Sequence, residues 1–185
     1  MKPKQPENQT EPIWQGKHIQ VHNDNGWEYV QRNRINGIVC IVAVTPENKL
    51  LLVEQYRPPL KTNCIEVPAG LAGDTTDYAG EALETAARRE LLEETGYEAK
   101  TFKPVFTGAV SAGLSDEVIT FFIAQNLKSV GVAQGDGHEQ ITVHEINLKQ
   151  IHAWLGDQHA QGKAIDCKVY TALEICRRFE LGTFD

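Results

Sequence analysis

Three glutamates, Glu90, Glu93 and Glu94, stand within five positions of one another near the end of a helix-forming stretch that Gly96 closes. The spacing predicts a helix over about Asp77–Thr95, stopped by that glycine. At 100° per residue, Leu83, Ala86 and Ala87 define its small apolar face. Glu90, Glu93 and Glu94 fall roughly 20° to 80° from the Leu83 direction, so carboxylates take over the stripe where core residues are expected. Like charges one turn apart repel, and the helix dipole disfavours negative charge in the last turns. A hard divalent cation relieves both penalties. Clustered carboxylate oxygens suit Mg²⁺ or Mn²⁺, and Mg²⁺ completes its shell with waters and substrate phosphates. The alternative is a solvated acidic face neutralised by Arg88 and Arg89, the ordinary fate of a charge run.

The elements that must position this helix read as a mixed α/β domain. Residues 1–12 are polar and Pro-rich. Lys17–His22 and Trp27–Arg32 alternate polar and apolar residues around Asn23-Asp24-Asn25-Gly26, a β-hairpin pattern. Gly37–Val44 is continuously apolar and β-branched, as a buried central strand requires. Leu50–Glu54 is the expected return strand, broken by Tyr56-Arg57-Pro58-Pro59. Cys64–Val67 forms another strand that ends at Pro68-Ala69-Gly70. Further strands are expected near Phe102–Phe106, Val118–Ala124 and Ile141–Ile146, and helices at about Leu148–Gln158 and Asp166–Glu180. The organisation divides into a tail and hairpin over 1–36 and a main domain over 37–185.

Composition narrows the function classes. The chain has 185 residues, 41% hydrophobic and 23% charged, with a net charge of −7. That suits a globular protein and argues against a nucleic-acid or anionic-membrane surface, which needs clustered Lys and Arg. A phosphorylated small substrate stays open, because a bound cation reverses the local sign. Cys40, Cys64, Cys167 and Cys176 form no C-x-x-C pair, and three of them sit among apolar residues. Reduced buried thiols, with no apolar run of membrane-spanning length, point to the cytoplasm. The six histidines show no metal spacing.

The longer string from Glu81 through Arg89-Glu90-Leu91-Leu92-Glu93-Glu94-Thr95-Gly96-Tyr97 resembles the box of the Nudix hydrolase superfamily, G-x5-E-x7-R-E-U-x-E-E-x-G-U, where U is a bulky apolar residue. Every position from Glu81 onward fits. The box glycine is displaced: Thr75 stands six positions before Glu81, and the counterpart is Gly70, so the preceding loop contains a five-residue insertion. Glu54-Gln55-Tyr56-Arg57-Pro58-Pro59, Cys64-Ile65-Glu66-Val67-Pro68-Ala69-Gly70-Leu71 and Ser111-Ala112-Gly113-Leu114-Ser115-Asp116-Glu117 are similar to the ADP-ribose pyrophosphatase branch.

The resemblance implies an α/β/α sandwich around a mixed β-sheet with an N-terminal β extension. It also implies a homodimer in which both subunits shape each substrate site. The implied activity is Mg²⁺-dependent hydrolysis of the diphosphate of a nucleoside diphosphate sugar, ADP-ribose first, with Mn²⁺ as substitute. By the same resemblance, Glu90, Glu93, Glu94 and the backbone carbonyl of Ala69 ligate the metal, and Arg89 orients the glutamates. Glu81 either touches a metal through water or answers the helix dipole. Arg57 contacts a diphosphate oxygen; Glu66 binds ribose hydroxyls or a metal-bound water, or simply pairs with Arg57. Gly113 belongs to the substrate-binding segment, and Trp27, with Trp14 and Tyr29, either stacks a base or packs a core or dimer contact. The general base comes from an acidic loop late in the chain, with Glu139 first and Asp136 and Glu117 behind it. GDP-mannose or a dinucleoside polyphosphate is the alternative substrate. A catalytically silent nucleotide-sugar-binding domain is the alternative of another class.

Overall fold

In the computed structural model, residues 11–74, 76–131 and 140–182 are described. Asn25 and Gly26 take φ 52° and 93°, the two positive values that a tight hairpin turn demands. They join β2 (Ile19–Asp24) to β3 (Trp27–Arg32), two residues later on the first arm than the alternation suggests. A short β1 (Trp14–Gln15) completes this three-stranded N-terminal sheet.

The apolar run over Gly37–Ala43 forms β4, which lies inside a four-stranded sheet. Its companions are β7 (Ala69–Ala72), β8 (Tyr97–Ala109) and β9 (Val118–Ser129), in the order β7-β4-β9-β8. Strand β4 runs parallel to β9 and antiparallel to β7. A second sheet has the order β10-β5-β6-β11, from β5 (Lys49–Arg57), β6 (Thr62–Glu66), β10 (Thr142–Asn147) and β11 (Ala164–Ile165). Here β11 is parallel to β6 and the other pairs are antiparallel. Both sheets are therefore mixed.

Period-two alternation along β4 and β5 sends side chains into two cores. Val39, Ile41, Ala43 and Leu51 meet Ala86, Ala87 and Leu91 of α1 (Leu83–Thr95). Cys40, Val42, Leu50 and Leu52 meet Ile151 and Leu155 of α2 (Ile151–Ala160) and Val169 and Leu173 of α3 (Cys167–Arg178). Helices thus cover opposite sides of the strands. Leu91 and Leu155 are among the largest fully buried side chains, and each such leucine contributes about 1.5–3 kcal/mol by its burial.

Several expected boundaries move, each for a local reason. Strand β5 does not ladder with β4 as a return strand: only Val44 and Leu50 bridge at the turn. It continues to Arg57 and stops at Pro58, which has no N–H to donate. Strand β8 is far longer than Phe102–Phe106, because one flank is solvated and carries polar residues; its register slips between Pro104 and Phe106, where proline interrupts the ladder. The central helix begins at Leu83 and not at Asp77. Thr76–Tyr78 make a single 3-10 turn, Gly80 takes φ 80°, and Ala82 is extended at the N-cap. Its end is as expected: Gly96 is left-handed and its N–H bonds the Leu92 carbonyl. Asp166 is the N-cap of α3, its side chain accepting the Lys168 N–H. Cys40, Cys64 and Cys176 are buried and Cys167 is exposed; burial pushes the three enclosed thiols up to about 12, which keeps them protonated. Among the described residues no helix is long and apolar enough to cross a membrane.

Candidate active site

Helix α1 packs across β7 and β4, and its acidic end opens onto a cavity of about 480 Å³. The floor and walls include Arg57, Glu66, Ala69, Gly70, Arg89, Glu90, Glu93 and Glu94. Residues separated in sequence by almost 40 positions therefore meet in one cleft. Glu94 continues the buried stripe of Ala87 and Leu91: it is 5% exposed and its Oε2 accepts the Ala69 N–H at 3.0 Å. The solvated-face alternative is excluded for Glu94 by that burial.

Gly70 explains how Glu90 fits. A Cβ at this position would stand 1.9 Å from the Glu90 Cδ and 2.0 Å from its Oε1. Only a residue without a side chain lets β7 lie against that carboxylate. The glycine displaced from the box spacing thus has a steric task in the site, as the sequence assignment of Gly70 anticipates. Burial pushes the Glu90 carboxyl up to about 7, although the adjacent Arg89 guanidinium works to lower it.

Arg89 is the hub of the acidic cluster. Its Nη1 donates to Glu90 Oε1 at 2.8 Å and to Glu93 Oε2 at 3.0 Å. Nη2 donates to the Leu71 carbonyl at 3.1 Å and to Glu81 Oε2 at 3.2 Å, and Nε to Glu81 Oε1 at 3.3 Å. All five N–H groups of the guanidinium are thereby engaged. Burial disfavours its charge, yet the bonds to Glu81 and the charge of Glu90 outweigh that and raise its pKa. Glu81 lies just before the helix, not in its first turn, and its side chain is only 5% exposed. In this arrangement it holds Arg89 from a position next to the N-cap Ala82.

Arg57 and Glu66 form the bidentate pair that was one of the two sequence readings, at 2.6 and 2.7 Å. Both line the cleft. Trp27 and Gly113 meet each other and not the cleft: the indole Nε1 donates to the Gly113 carbonyl at 3.2 Å, while Trp27 remains 61% exposed. That contact, with Gln31 on Asp116 and Arg32 on Glu117, ties the N-terminal sheet to the 111–117 segment. Glu139 and Asp136 lie outside the described residues.

Sequence reasoning passed over four cleft residues. Arg32 pairs with Glu117 at 2.5 Å at the rim, and Lys168 pairs with its own N-cap Asp166. Asp74 comes from the stretch 72–77 that contains the insertion and Tyr78 from the end of the 3-10 turn that follows, and the Tyr78 ring lies 4.4 Å from the Arg89 guanidinium. Nothing in the spacing of Arg32 or Lys168 marks them. The inserted loop was the available signal for the other two.

Carboxylates outnumber cations in the cleft. Among the described lining residues Arg32, Arg57, Arg89 and Lys168 face Glu66, Asp74, Glu90, Glu93, Glu94 and Glu117. Each cation already has an acidic partner. Among the described residues, no three Asp, Glu, His or Cys side chains are drawn together as a metal cage; Arg89 bonds Glu90 and Glu93, and the Ala69 N–H bonds Glu94. The donor set itself, three carboxylates opening on one cleft, fits a hard divalent cation.

The NUDIX domain model matches residues 35–165. This chain belongs to the Nudix family. It is 35% identical over 149 residues to the methanol dehydrogenase activator of Bacillus methanolicus, a match covering 76% of this chain and 77% of that one. It is 37% identical over 114 residues to the ADP-ribose pyrophosphatase of Bacillus subtilis, covering 61% of this chain and 59% of the relative. Among solved structures, a crystal structure titled ADP compounds hydrolase superposes with a TM-score of 0.70 at 21% identity, covering 91% and 90% of the two chains, a likeness of fold. The resemblance read from Glu81–Tyr97 and its flanking segments is borne out, as is the Nudix α/β fold.

Proposed function

We propose that this Nudix protein hydrolyses the diphosphate bond of nucleoside diphosphate sugars, ADP-ribose first among them, with Mg²⁺ as its cofactor and Mn²⁺ as substitute. The observation that carries the reading is the charge balance of the cleft. Six carboxylates face four cations that are each engaged already, so a diphosphate entering alone would meet net repulsion. A bound divalent cation would cancel that excess, screen the phosphate oxygens and lower the pKa of water. Glu90, Glu93, Glu94 and the Ala69 carbonyl are the groups that would hold it. The name of the Bacillus subtilis relative supports the substrate class.

This chain's own residues do the positioning. Arg89 keeps Glu90 and Glu93 side by side, and Gly70 lets Glu90 reach the cleft. Arg57, braced by Glu66, brings charge to a diphosphate oxygen, where charge-assisted hydrogen bonds are strongest. A water attacks one phosphorus; the bond from that phosphorus to the bridging oxygen breaks, and the bridging oxygen leaves with the other phosphate. Glu139 is proposed to take the water's proton. The products are a nucleoside monophosphate and a sugar phosphate. Ile13, Trp14 and Trp27 leave an exposed apolar rim on the N-terminal sheet, which supports a homodimer built through residues 1–36. The buried reduced thiols support a cytoplasmic protein.

The test is a product-resolved assay over a panel of nucleotide sugars, with and without magnesium. Glu93→Gln and Glu94→Gln should each lower turnover about 10²-fold or more, the scale of losing one preorganised charged group, while the fold survives. Near-normal hydrolysis by both variants would remove the metal assignment. Saturable binding of ADP-ribose without any magnesium-dependent product would favour the silent binding domain instead.

A further inference from the structure

The loop lengthened before α1 does more than span a gap. Its 3-10 turn, Thr76–Tyr78, sets the Tyr78 ring over Arg89 with the guanidinium carbon 4.4 Å from the ring centroid. The in-plane edge of that guanidinium is fully occupied by Glu81, Glu90, Glu93 and Leu71. Hydrogen bonds in the plane fix where the group lies but leave its out-of-plane tilt and lift soft. A ring stacked on the flat face resists that movement, and the attraction between the π-face and the cation strengthens where water is excluded. Arg89 is 16% exposed and Tyr78 37% exposed, so the contact is partly desolvated.

We propose that Tyr78 is a positioning residue: by clamping the face of Arg89, it holds Glu90 and Glu93 in the geometry that receives the divalent cation. The inference rests on the proposed metal-dependent reading of this cleft. It assigns a role in cation binding to the inserted loop, which the box pattern alone leaves without one. Tyr78 sits five positions before Leu83, outside the helix that carries the glutamates; its ring meets Arg89, and its carbonyl accepts the Glu81 N–H at 2.9 Å.

The experiment measures Mn²⁺ binding to the full chain without substrate, by electron paramagnetic resonance of the free ion, alongside steady-state kinetics with ADP-ribose. Tyr78→Phe keeps the aromatic face and should bind Mn²⁺ as the unaltered protein does. Tyr78→Leu keeps apolar bulk but lacks the π-face; it should weaken Mn²⁺ binding about three- to tenfold, the range of a partly desolvated cation–π contact. Its kcat at subsaturating metal should fall while KM for the nucleotide is unchanged. Should Tyr78→Ala fail to fold, the Phe and Leu pair still decides. Equal Mn²⁺ affinity in the Leu and Phe variants would overturn the clamp while leaving the metal site standing. If the unaltered protein bound no Mn²⁺ and hydrolysed no nucleotide sugar, the underlying functional reading would fail instead.

Discussion

Replacing Gly70 by alanine perturbs the site through one methyl group. The new Cβ would lie 1.9 Å from Glu90 Cδ, whereas ordinary contact begins at 3.4 Å, so the carboxylate must withdraw by about 1.5 Å. The displaced atoms belong to a side chain only 14% exposed, wedged between β7 and Arg89, and moving it stretches the 2.8 Å bond to Arg89. Overpacking of this kind costs about 1–3 kcal/mol of stability, and in a domain of this size each kcal/mol lowers Tm by about 2–4 °C. Catalysis should suffer more, because a misplacement of about 1 Å costs about 10²-fold in rate. Differential scanning calorimetry and magnesium-dependent hydrolysis of ADP-ribose measure the two losses separately. In a Glu90→Ala background the clash partner is gone, so adding Gly70→Ala should cost little further; the two changes are coupled and not additive. Turnover within threefold of the unaltered protein in Gly70→Ala would refute the claim that Glu90 must stand where it does.

Two further outcomes follow from charged groups away from the acidic helix. Arg57→Ala removes the bidentate partner of Glu66, whose side chain is 5% exposed, and should destabilise the fold by about 1–3 kcal/mol, between the exposed-pair and buried-pair ranges because Arg57 is 39% exposed; a urea titration with no change in midpoint would contradict it. Burial alone would raise Glu54, but hydrogen bonds from Lys163, Asn63 and His144 outweigh it and hold the carboxyl at about 2, below the ordinary 4.5. A depressed folded-state pKa stabilises above the unfolded value and is lost as pH falls, so this contribution should fade between about 4.5 and 2. The Glu54→Gln variant should lack that portion of the acid-induced drop in Tm, and an identical pH profile for both proteins would count against the assignment.

Legibility in the sequence followed how local each determinant is. The apolar run at Val39–Ala43, the turn at Asn25-Gly26 and the stop at Gly96 depend on neighbouring residues alone, and all three appear where the pattern places them. Glu90, Glu93 and Glu94 were legible because they interrupt an apolar stripe, a conflict visible on a helical wheel. Arg32 and Lys168 were not, since nothing in their own surroundings marks them and only tertiary packing brings them to the cleft; for Tyr78 the lengthened loop was the one signal. The start of α1 was misread because Asp77 and Tyr78 suit a helix, whereas Gly80 in a left-handed conformation ends that turn and forces a new start. Strand β8 was read short because hydrophobicity fades along its solvated flank while the backbone ladder with β9 continues.

Arg89 also shows how so acidic a cluster is held together and how the proposed cation would be accommodated. The bonds to Arg89 take Oε1 of Glu90 and Oε2 of Glu93, one oxygen of each carboxylate. An ionised carboxylate has two oxygens and about four lone-pair directions, so each side chain keeps acceptor capacity turned away from the arginine. Metal binding therefore need not compete with the guanidinium for the same lone pairs. One positive charge is shared among Glu81, Glu90 and Glu93, and burial, with the charges of Glu93 and Asp74 behind it, lifts Glu90 to about 7 despite Arg89. The proposed divalent ion would add the charge that Arg89 lacks, to side chains whose rotamers the arginine already restrains, so less side-chain entropy would be lost on binding.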